Sequence, residues 1–484
     1  MQSSILKQKL FINGQWIDTE NTHKVYNKFT GELFSEVGLA DEKIVDRAVE
    51  SAVHAYKHIA FVPSYRYTVL MSAADLLQEH LEEFALVIAQ EGGKPIKDAK
   101  VEVKRSVATL QLAAEEAKKL VGEIIPNYNV PDRFLYTVKK PIGAVAAITP
   151  FNFPLNLVVH KVAPALAAGN PVIIKPASDT ATVAVKLCEL LEQAGVPKGY
   201  VQCVVGSGRT VGEQLLHDER IAHYTFTGSP GVGKHIQQTI GLRKATLELG
   251  SNSATIVHSD ADIEKAASQL AKMAFAHAGQ ICISVQRILI NSAIYKSFLK
   301  KFMDEVSLLK VGDPLHPDTD VGPMISEKEA KRAEQWIIEA KEAGAAALTG
   351  GIREGNILYP TVLTNVQKGM KVVDEEVFAP IVSLFIYDEI EEAIELVNDS
   401  KYGLQAGIYT ADLHLSYKIP YLLDVGGVVI NDTCCYRTDQ MPYGGVKESG
   451  SGKEGPAYAI QELVKTVTVV VNLENERVNR NEDD

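Results

Sequence analysis

Three side chains suited to acyl chemistry stand far apart in this sequence. Cys282 lies in Phe275-Ala-His-Ala-Gly-Gln-Ile-Cys282-Ile-Ser-Val-Gln-Arg287. A helix is expected to end near Gly279, so the thiol follows on an irregular segment among small and polar neighbours. Such a thiol is reachable, as a nucleophile must be. Taken alone it reads first as a buried structural cysteine, a common fate of free thiols. Glu248 sits in Leu247-Glu248-Leu249-Gly250, at the expected end of a strand. A carboxylate inside an apolar run is expensive to bury without a partner or a purpose. It reads as a hydrogen-bonded core acid or as a general base. Asn152, in Pro150-Phe151-Asn152-Phe153-Pro154, follows another strand. Its amide can donate to a developing oxyanion, or simply shape a turn.

The elements that must bring these groups together form a regular series. Residues 143–149, 171–175, 201–205, 221–227 and 245–249 read as apolar strands. Helices over 180–194 and 209–217, and one after Gly231, alternate with them. Apolar strands between amphipathic helices predict a parallel sheet covered on both faces. Ligands in such folds sit at the carboxyl ends of the strands. A second α/β unit begins near Ser251, with strands over 254–257, 287–290 and 381–387 and helices over 262–277 and 328–343. Ahead of the first unit, 11–17 alternates around Asn13-Gly14, a hairpin signal. Apolar residues recur at helical spacing over 44–56, and further helices fit 65–79, 81–91 and 101–119. Two strands stand apart from these series, 134–140 and the β-branched tail 466–473. An unpaired apolar edge is sticky, so the tail is expected to pair with another subunit, or else within its own chain.

A chain of 484 residues predicts two or three domains. Its formal charge of -12 gives no support for nucleic-acid or anionic-membrane binding. The five cysteines form neither a disulfide framework nor a CxxC pair, and Cys434-Cys435 reads as structural rather than metal-binding. The first 17 residues carry no secretory pattern. The longest apolar stretch, 158–174, is broken by His160, Lys161 and Gly169-Asn170-Pro171, so no membrane span is expected. A cytoplasmic location follows.

One set of motifs changes the weight of the three chemical residues. Thr149-Pro-Phe-Asn-Phe-Pro154, Ile173-Ile-Lys-Pro-Ala177, Phe226-Thr-Gly-Ser229, the Glu248 segment and Gly279-Gln-Ile-Cys282 occur in order. Glu376-Val-Phe-Ala-Pro380, Pro442-Tyr-Gly-Gly445 and Lys447-Glu-Ser-Gly450 complete it. With these the sequence resembles the NAD(P)-dependent aldehyde dehydrogenase superfamily over nearly its whole length. Tyr436-Arg437-Thr438-Asp439 resembles the lactaldehyde and non-phosphorylating glyceraldehyde-3-phosphate branch. The resemblance implies an aldehyde dehydrogenase-like α/β fold. It has a Rossmann-like parallel-sheet cofactor domain (1–120 and 142–250), an α/β catalytic domain (251–450) and small β oligomerisation segments (121–141 and 451–484). A homodimer or homotetramer acting on a small-molecule aldehyde is implied, without metal.

Residue by residue, the family pattern makes Cys282 the nucleophile, Glu248 the hydrolytic base, and Asn152 with the Cys282 amide the oxyanion site. Lys175 would hold the adenosine ribose, Glu376 the nicotinamide ribose, and Phe378 would pack near the nicotinamide. Gly208 and Gly212 would line the adenine side. Thr149, Pro150, Phe151, Phe226, Thr227, Gly228, Ser229, Val232 and Leu249 complete the cofactor set. The turn from Phe226 to Gly233 joins a strand to a helix whose amino terminus can stabilise pyrophosphate; a plain tight turn is the other reading. Ser178 stands where NAD-preferring relatives often have glutamate, so NADP or dual use is expected over strict NAD. Arg105, Phe153, His160, Ile281 and Arg437 are the substrate-pocket candidates. Arg437 is expected to meet an anionic or hydroxylated substrate, or to brace its loop against Asp439 or Asp432. Ile281 replaces the arginine that phosphate-binding relatives often carry. Small aliphatic or hydroxy-aldehydes such as lactaldehyde are the expected substrates, with succinate semialdehyde, sulfolactaldehyde and aromatic aldehydes as alternatives. Ser251, where the family usually has a second glycine, is the one visible departure. Glu248 argues against the coenzyme A-acylating branch, and the intact set argues against a non-catalytic binding protein.

Overall fold

The computed structural model describes residues 5–129 and 133–472. Two largely parallel sheets carry most of it. The first has the spatial order Gly450–Ser451, Lys244–Glu248, Ile221–Thr227, Ala144–Ile148, Val172–Lys175, Val201–Cys203, Leu10–Ile12, Gln15–Ile17. Its five central strands are parallel and run 5-4-1-2-3 in sequence rank. The order reverses beside Ala144–Ile148, and a crevice at that switch point is where such folds bind ligands. These strands are buried on both faces, as a sheet sandwiched by helices requires. The flanking hairpin turns at Asn13 (φ 54°) and Gly14 (φ 67°), the two positive angles that match strand twist.

The second sheet has the order Ala346–Thr349, Thr361–Thr364, Ile381–Tyr387, Arg287–Asn291, Ala254–Val257, Gln405–Tyr409, Gly427–Ile430, parallel except at its first strand. Each large sheet has its own apolar core. A third sheet takes up the tail by the in-chain pairing, one of the two expected. The tail strand Val464–Asn472 pairs antiparallel with Arg133–Pro141 of its own chain over its full length. Leu473, the last residue of the expected tail strand, lies outside the described residues.

Two helices differ from the sequence reading. Asn156–Ala168 was not anticipated, because every residue in it is buried and no polar face marks its period. Its amino terminus is capped from a neighbouring helix, Ile96–Ala117: Glu102 Oε1 accepts from the Leu155 and Asn156 amides at 3.0 and 3.1 Å. The helix expected to run to Gly279 stops at Phe275. His277 and Ala278 then adopt left-handed angles, φ 49° and 53°. Among the described residues no helix is long and apolar enough to cross a membrane.

Candidate active site

A cavity of about 620 Å³ opens where the two large sheets face each other. The first sheet contributes the segments that leave its strands: Asn152, Thr227 to Ser229, and Leu249-Gly250. The second contributes Ile281 to Ile283, which enter the strand Arg287–Asn291, and Arg437 and Tyr443, which follow Gly427–Ile430.

The thiol is delivered by the left-handed turn. Gly279 continues it at φ 68°, and a side chain there would come within 2.1 Å of the Ala379 carbonyl. Gln280 is fully buried and locks the turn. Its amide NH2 donates to the His277 carbonyl at 3.1 Å, and its Oε1 accepts from the Ile325 amide at 2.9 Å. Cys282 follows, partly exposed on the cavity wall. Its Sγ lies 2.9 Å from the Tyr443 hydroxyl. Burial pushes the thiol up to about 11, against the opposing pull of the Tyr443 hydrogen bond and the Arg437 charge. Asn152 Nδ2 donates to the Gln280 carbonyl at 2.9 Å, tying the first sheet to the thiol segment. An amide NH2 has two hydrogens, so one N–H is left for an oxyanion.

Glu248 ends its strand completely buried, and neither carboxyl oxygen has a hydrogen-bond partner among the described residues. Burial, then the nearby Glu454, holds its acid well above the ordinary carboxylate range. The group lies just behind the cavity wall, against Gly444, where a Cβ would stand 2.7 Å from Oε1. A poised but unpartnered carboxyl is what a general base acting near neutral pH requires.

The Arg437 expectation needs correction. Its partner is neither Asp439 nor Asp432 but Glu454, with Nη2 donating at 2.9 Å. Lys161 reaches the same carboxylate at 2.9 Å. Burial alone would raise Glu454, but Lys161 and Arg437 hold it far below the usual range. Asp439 is taken instead by Arg105 (3.1 and 2.8 Å), His160 (2.9 Å) and Asn156 (3.1 Å). Arg105, Phe153, Ile281 and Arg437 line the cavity, whereas His160 is buried behind it.

Pro150, Phe151, Thr227, Gly228, Ser229, Leu249, Glu376 and Phe378 line the other side of the cavity. Phe151 and Phe378 meet edge to face, with ring centroids 5.8 Å apart. Glu376 accepts from the Ser251 amide at 3.0 Å, and burial pushes it up to about 7. Gly228 lies over the Phe226 ring, which a Cβ would meet at 2.5 Å. Ser229 occupies the N-cap position of the helix Pro230–Thr239 without a side-chain capping hydrogen bond, and Val232 in that helix is exposed. Thr149, Lys175, Ser178, Gly208, Gly212, Phe226 and Val232 do not line the cavity itself. Lys175, Ser178 and the Gly206-to-Gly212 turn instead gather at the end of the neighbouring strand, where the Ser178 hydroxyl donates to the Gly206 carbonyl at 3.4 Å. Lys175 is buried, has no acidic partner among the described residues, donates to the Pro176 carbonyl at 3.4 Å, and is lowered by burial to about 8. A lone buried ammonium, an orphan Thr149 hydroxyl and a glycine-lined helix start fit a dinucleotide rich in acceptors.

Sequence reasoning missed four residues. Tyr443 sat unassigned inside a quoted motif. Glu454 gave no signal beyond being an acid near the glycines that precede a proline. Lys94 lies on the cavity wall with its ammonium 3.6 Å from the Phe153 ring centroid and paired to Glu102. His277 also lines the cavity, and both its ring nitrogens are buried without partners among the described residues. Burial, then Lys94, keeps its imidazole neutral far below the ordinary range.

The fold and this site define a nicotinamide-dependent oxidoreductase built around a thiol, and comparison with known proteins is specific. The sequence model of the aldehyde dehydrogenase family matches residues 16–469. The chain is 51% identical over 467 residues to a 3-sulfolactaldehyde dehydrogenase of Priestia aryabhattai, covering 96% of this chain and 98% of that one. It is 39% identical to a lactaldehyde dehydrogenase of Methanocaldococcus jannaschii, covering 96% and 100%. Among solved structures it matches a glyceraldehyde-3-phosphate dehydrogenase of Methanocaldococcus jannaschii complexed with NADP, at TM-score 0.90 and 38% identity, over 94% of this chain and 100% of that one. The chain belongs to the aldehyde dehydrogenase family, in its lactaldehyde and glyceraldehyde-3-phosphate branch. It is an NAD(P)-dependent enzyme that oxidises an aldehyde by cysteine chemistry.

Proposed function

We propose that the enzyme oxidises a short 2-hydroxy-aldehyde, with 3-sulfolactaldehyde ahead of lactaldehyde, to the corresponding acid. The observation that carries this is the set of polar atoms around the thiol left without partners. Arg437 Nε and both His277 ring nitrogens are buried and without partners among the described residues, and both residues line the cavity. Buried polar atoms without partners are expensive, so a hydroxylated or anionic substrate satisfies them where a plain alkyl chain does not. Lys94, Arg105 and Arg437 add positive charge to that wall, each already balanced by an acid. The 51% identity to a 3-sulfolactaldehyde dehydrogenase supports the same choice.

In this reading Cys282 attacks the aldehyde carbon. The oxyanion is held by the second Asn152 N–H and the Cys282 amide. The dinucleotide supplies the hydride acceptor. Once hydride has left the carbon, an acyl thioester remains on Cys282. Glu248 takes a proton from water, and the resulting hydroxide equivalent releases the acid and regenerates the thiol. Lys175 and Ser178 hold the adenosine ribose, and Ser178 brings no charge against a 2′-phosphate, which favours NADP or dual use. Thr149, Phe226, Gly208, Gly212 and Val232 complete that binding surface.

The division of labour follows the sheets. Residues 1–120 and 142–250 bind the dinucleotide, 251–450 carry the thiol, and 121–141 with 451–484 join subunits. Exposed Leu242, Leu413, Tyr417 and Tyr421 support a homodimer or homotetramer. The enzyme works in the cytoplasm, and its net charge of -12 speaks against nucleic-acid and anionic-membrane partners. The test is nicotinamide reduction with 3-sulfolactaldehyde, lactaldehyde, succinate semialdehyde, glyceraldehyde 3-phosphate and an unsubstituted aliphatic aldehyde, each with NAD and with NADP. The two hydroxy-aldehydes should give the highest kcat/KM. Preference for the unsubstituted aldehyde would overturn the substrate reading.

A further inference from the structure

Tyr443 belongs to none of the roles above, yet its side chain meets the thiol. Among the described residues its hydroxyl is the hydrogen-bond partner of Cys282 Sγ, at 2.9 Å. The ring is 4% exposed and packs with Ile283, Leu404, Ile281 and Cys282. Three contacts fix it. Its amide donates to the Glu454 carbonyl at 3.2 Å, and its carbonyl accepts from the Glu454 amide at 2.7 Å. The Glu454 carboxylate holds Arg437 at 2.9 Å. The Arg437 guanidinium in turn lies 3.7 Å from the Tyr443 ring centroid. The three residues close a cycle, so the phenol cannot swing without losing its contact with a guanidinium that a buried ion pair holds in place.

We propose that Tyr443 is a positioning residue that donates its O–H to the Cys282 thiolate, fixing the sulfur's direction and stabilising its charged form before the aldehyde arrives. Burial otherwise disfavours that charge, and the nearby acids Glu376 and Glu248 oppose it further. Arg437 is the nearby cation that favours it, and its place on the ring makes the phenol a better donor as well. When the sulfur bonds to carbon the negative charge moves to the oxyanion, and the Tyr443 proton stays on its own oxygen throughout. No bond is made or broken at the phenol.

The inference rests on Cys282 being the nucleophile, and the experiment separates the two. In full-length enzyme without aldehyde, the pH dependence of iodoacetamide inactivation reads the thiolate directly. Tyr443→Phe removes one oxygen and keeps the ring and its Arg437 contact. A hydrogen bond to a charged group is worth enough to move the midpoint of that profile up by about one pH unit. The variant should lose about tenfold in kcat/KM near neutral pH, while its affinity for NADP and its melting temperature stay at the wild-type values. Should the phenylalanine variant fail to fold, 3-fluorotyrosine at position 443 offers the opposite sign: a more acidic phenol should move the midpoint down. An unchanged inactivation profile in either variant would overturn the inference. Retained dehydrogenase activity in Cys282→Ala would overturn the reading beneath it, whatever Tyr443 does.

Discussion

The two large sheets meet at one cavity from opposite ends of their strands. The first sheet presents its carboxyl ends, so Asn152 and Glu248 arrive within four residues of the strands Ala144–Ile148 and Lys244–Glu248. The second sheet presents the segment that enters Arg287–Asn291, so its thiol arrives on a turn with two consecutive left-handed non-glycine residues. Such residues are held at a cost on the order of 1–3 kcal/mol each. The turn is kept in place by buried Gln280 and by the backbone of Ala379 against Gly279. One side of the site therefore comes with the ordinary geometry of a parallel sheet, and the other is held against local preference.

That contrast can be broken one side at a time. Cys282→Ala should abolish aldehyde oxidation, a loss on the order of 10⁶-fold in kcat, as measured when other enzymes lose their nucleophile. Cofactor affinity by fluorescence should not move, because the first sheet is untouched. Glu248→Gln should reduce steady-state kcat by roughly 10²–10⁴-fold. It should spare a burst of one reduced nicotinamide per site, because the acid acts only after the thioester has formed. Since Glu248 is held above the normal range, the wild-type hydrolytic rate should climb with pH as the carboxylate ionises. The glutamine variant should lose that slope.

The next substitutions, at two positions, sharpen the first-sheet side. Lys175→Met should weaken cofactor binding by roughly 10- to 100-fold, the range of a hydrogen bond to a charged group. The ammonium is present below about 8 and lost above it, so wild-type cofactor affinity should fall as pH rises through that value. Lys175→Arg, charged at any such pH, should remove the fall. Smallest is Ser178→Glu, which should lower NADP affinity about tenfold through like charge and leave NAD nearly unchanged. Equal losses for both cofactors would mean that Ser178 does not face the ribose.

The contrast also explains what the sequence made legible. Strands buried on both faces declare themselves as apolar runs, so the five parallel strands and the residues at their tips were readable. So was the Asn13-Gly14 turn, whose residue types answer its backbone angles. Asn156–Ala168 was hidden for the opposite reason: burial all round erases helical period, and its His160 and Lys161 look like interruptions until Asp439 and Glu454 are brought beside them. The partner of Arg437 was misread because nearby acids in sequence competed with one seventeen residues on, which a backbone bridge to Tyr443 brings close. His277 carried no mark at all, since a left-handed histidine is visible only in the backbone angle. The tail strand was legible as a strand but not its partner, because apolar alternation says nothing of which edge it meets.

That pairing of Val464–Asn472 with Arg133–Pro141 has a consequence for how the protein is made. The two strands are separated by roughly 330 residues, which at ordinary translation speeds is about 20 to 70 s of synthesis. Arg133–Pro141 must wait that long on the ribosome with its edge unmatched, and Lys161 must wait almost as long for the Glu454 that neutralises it. The nascent chain therefore carries an open β edge until Val464–Asn472 emerges, and a lysine that cannot be buried against its acid until Glu454 does. Ribosome-bound chains stopped before residue 454 should be protease-sensitive and inactive, whereas chains extended past residue 472 and cleared from the exit tunnel should acquire resistance and activity together.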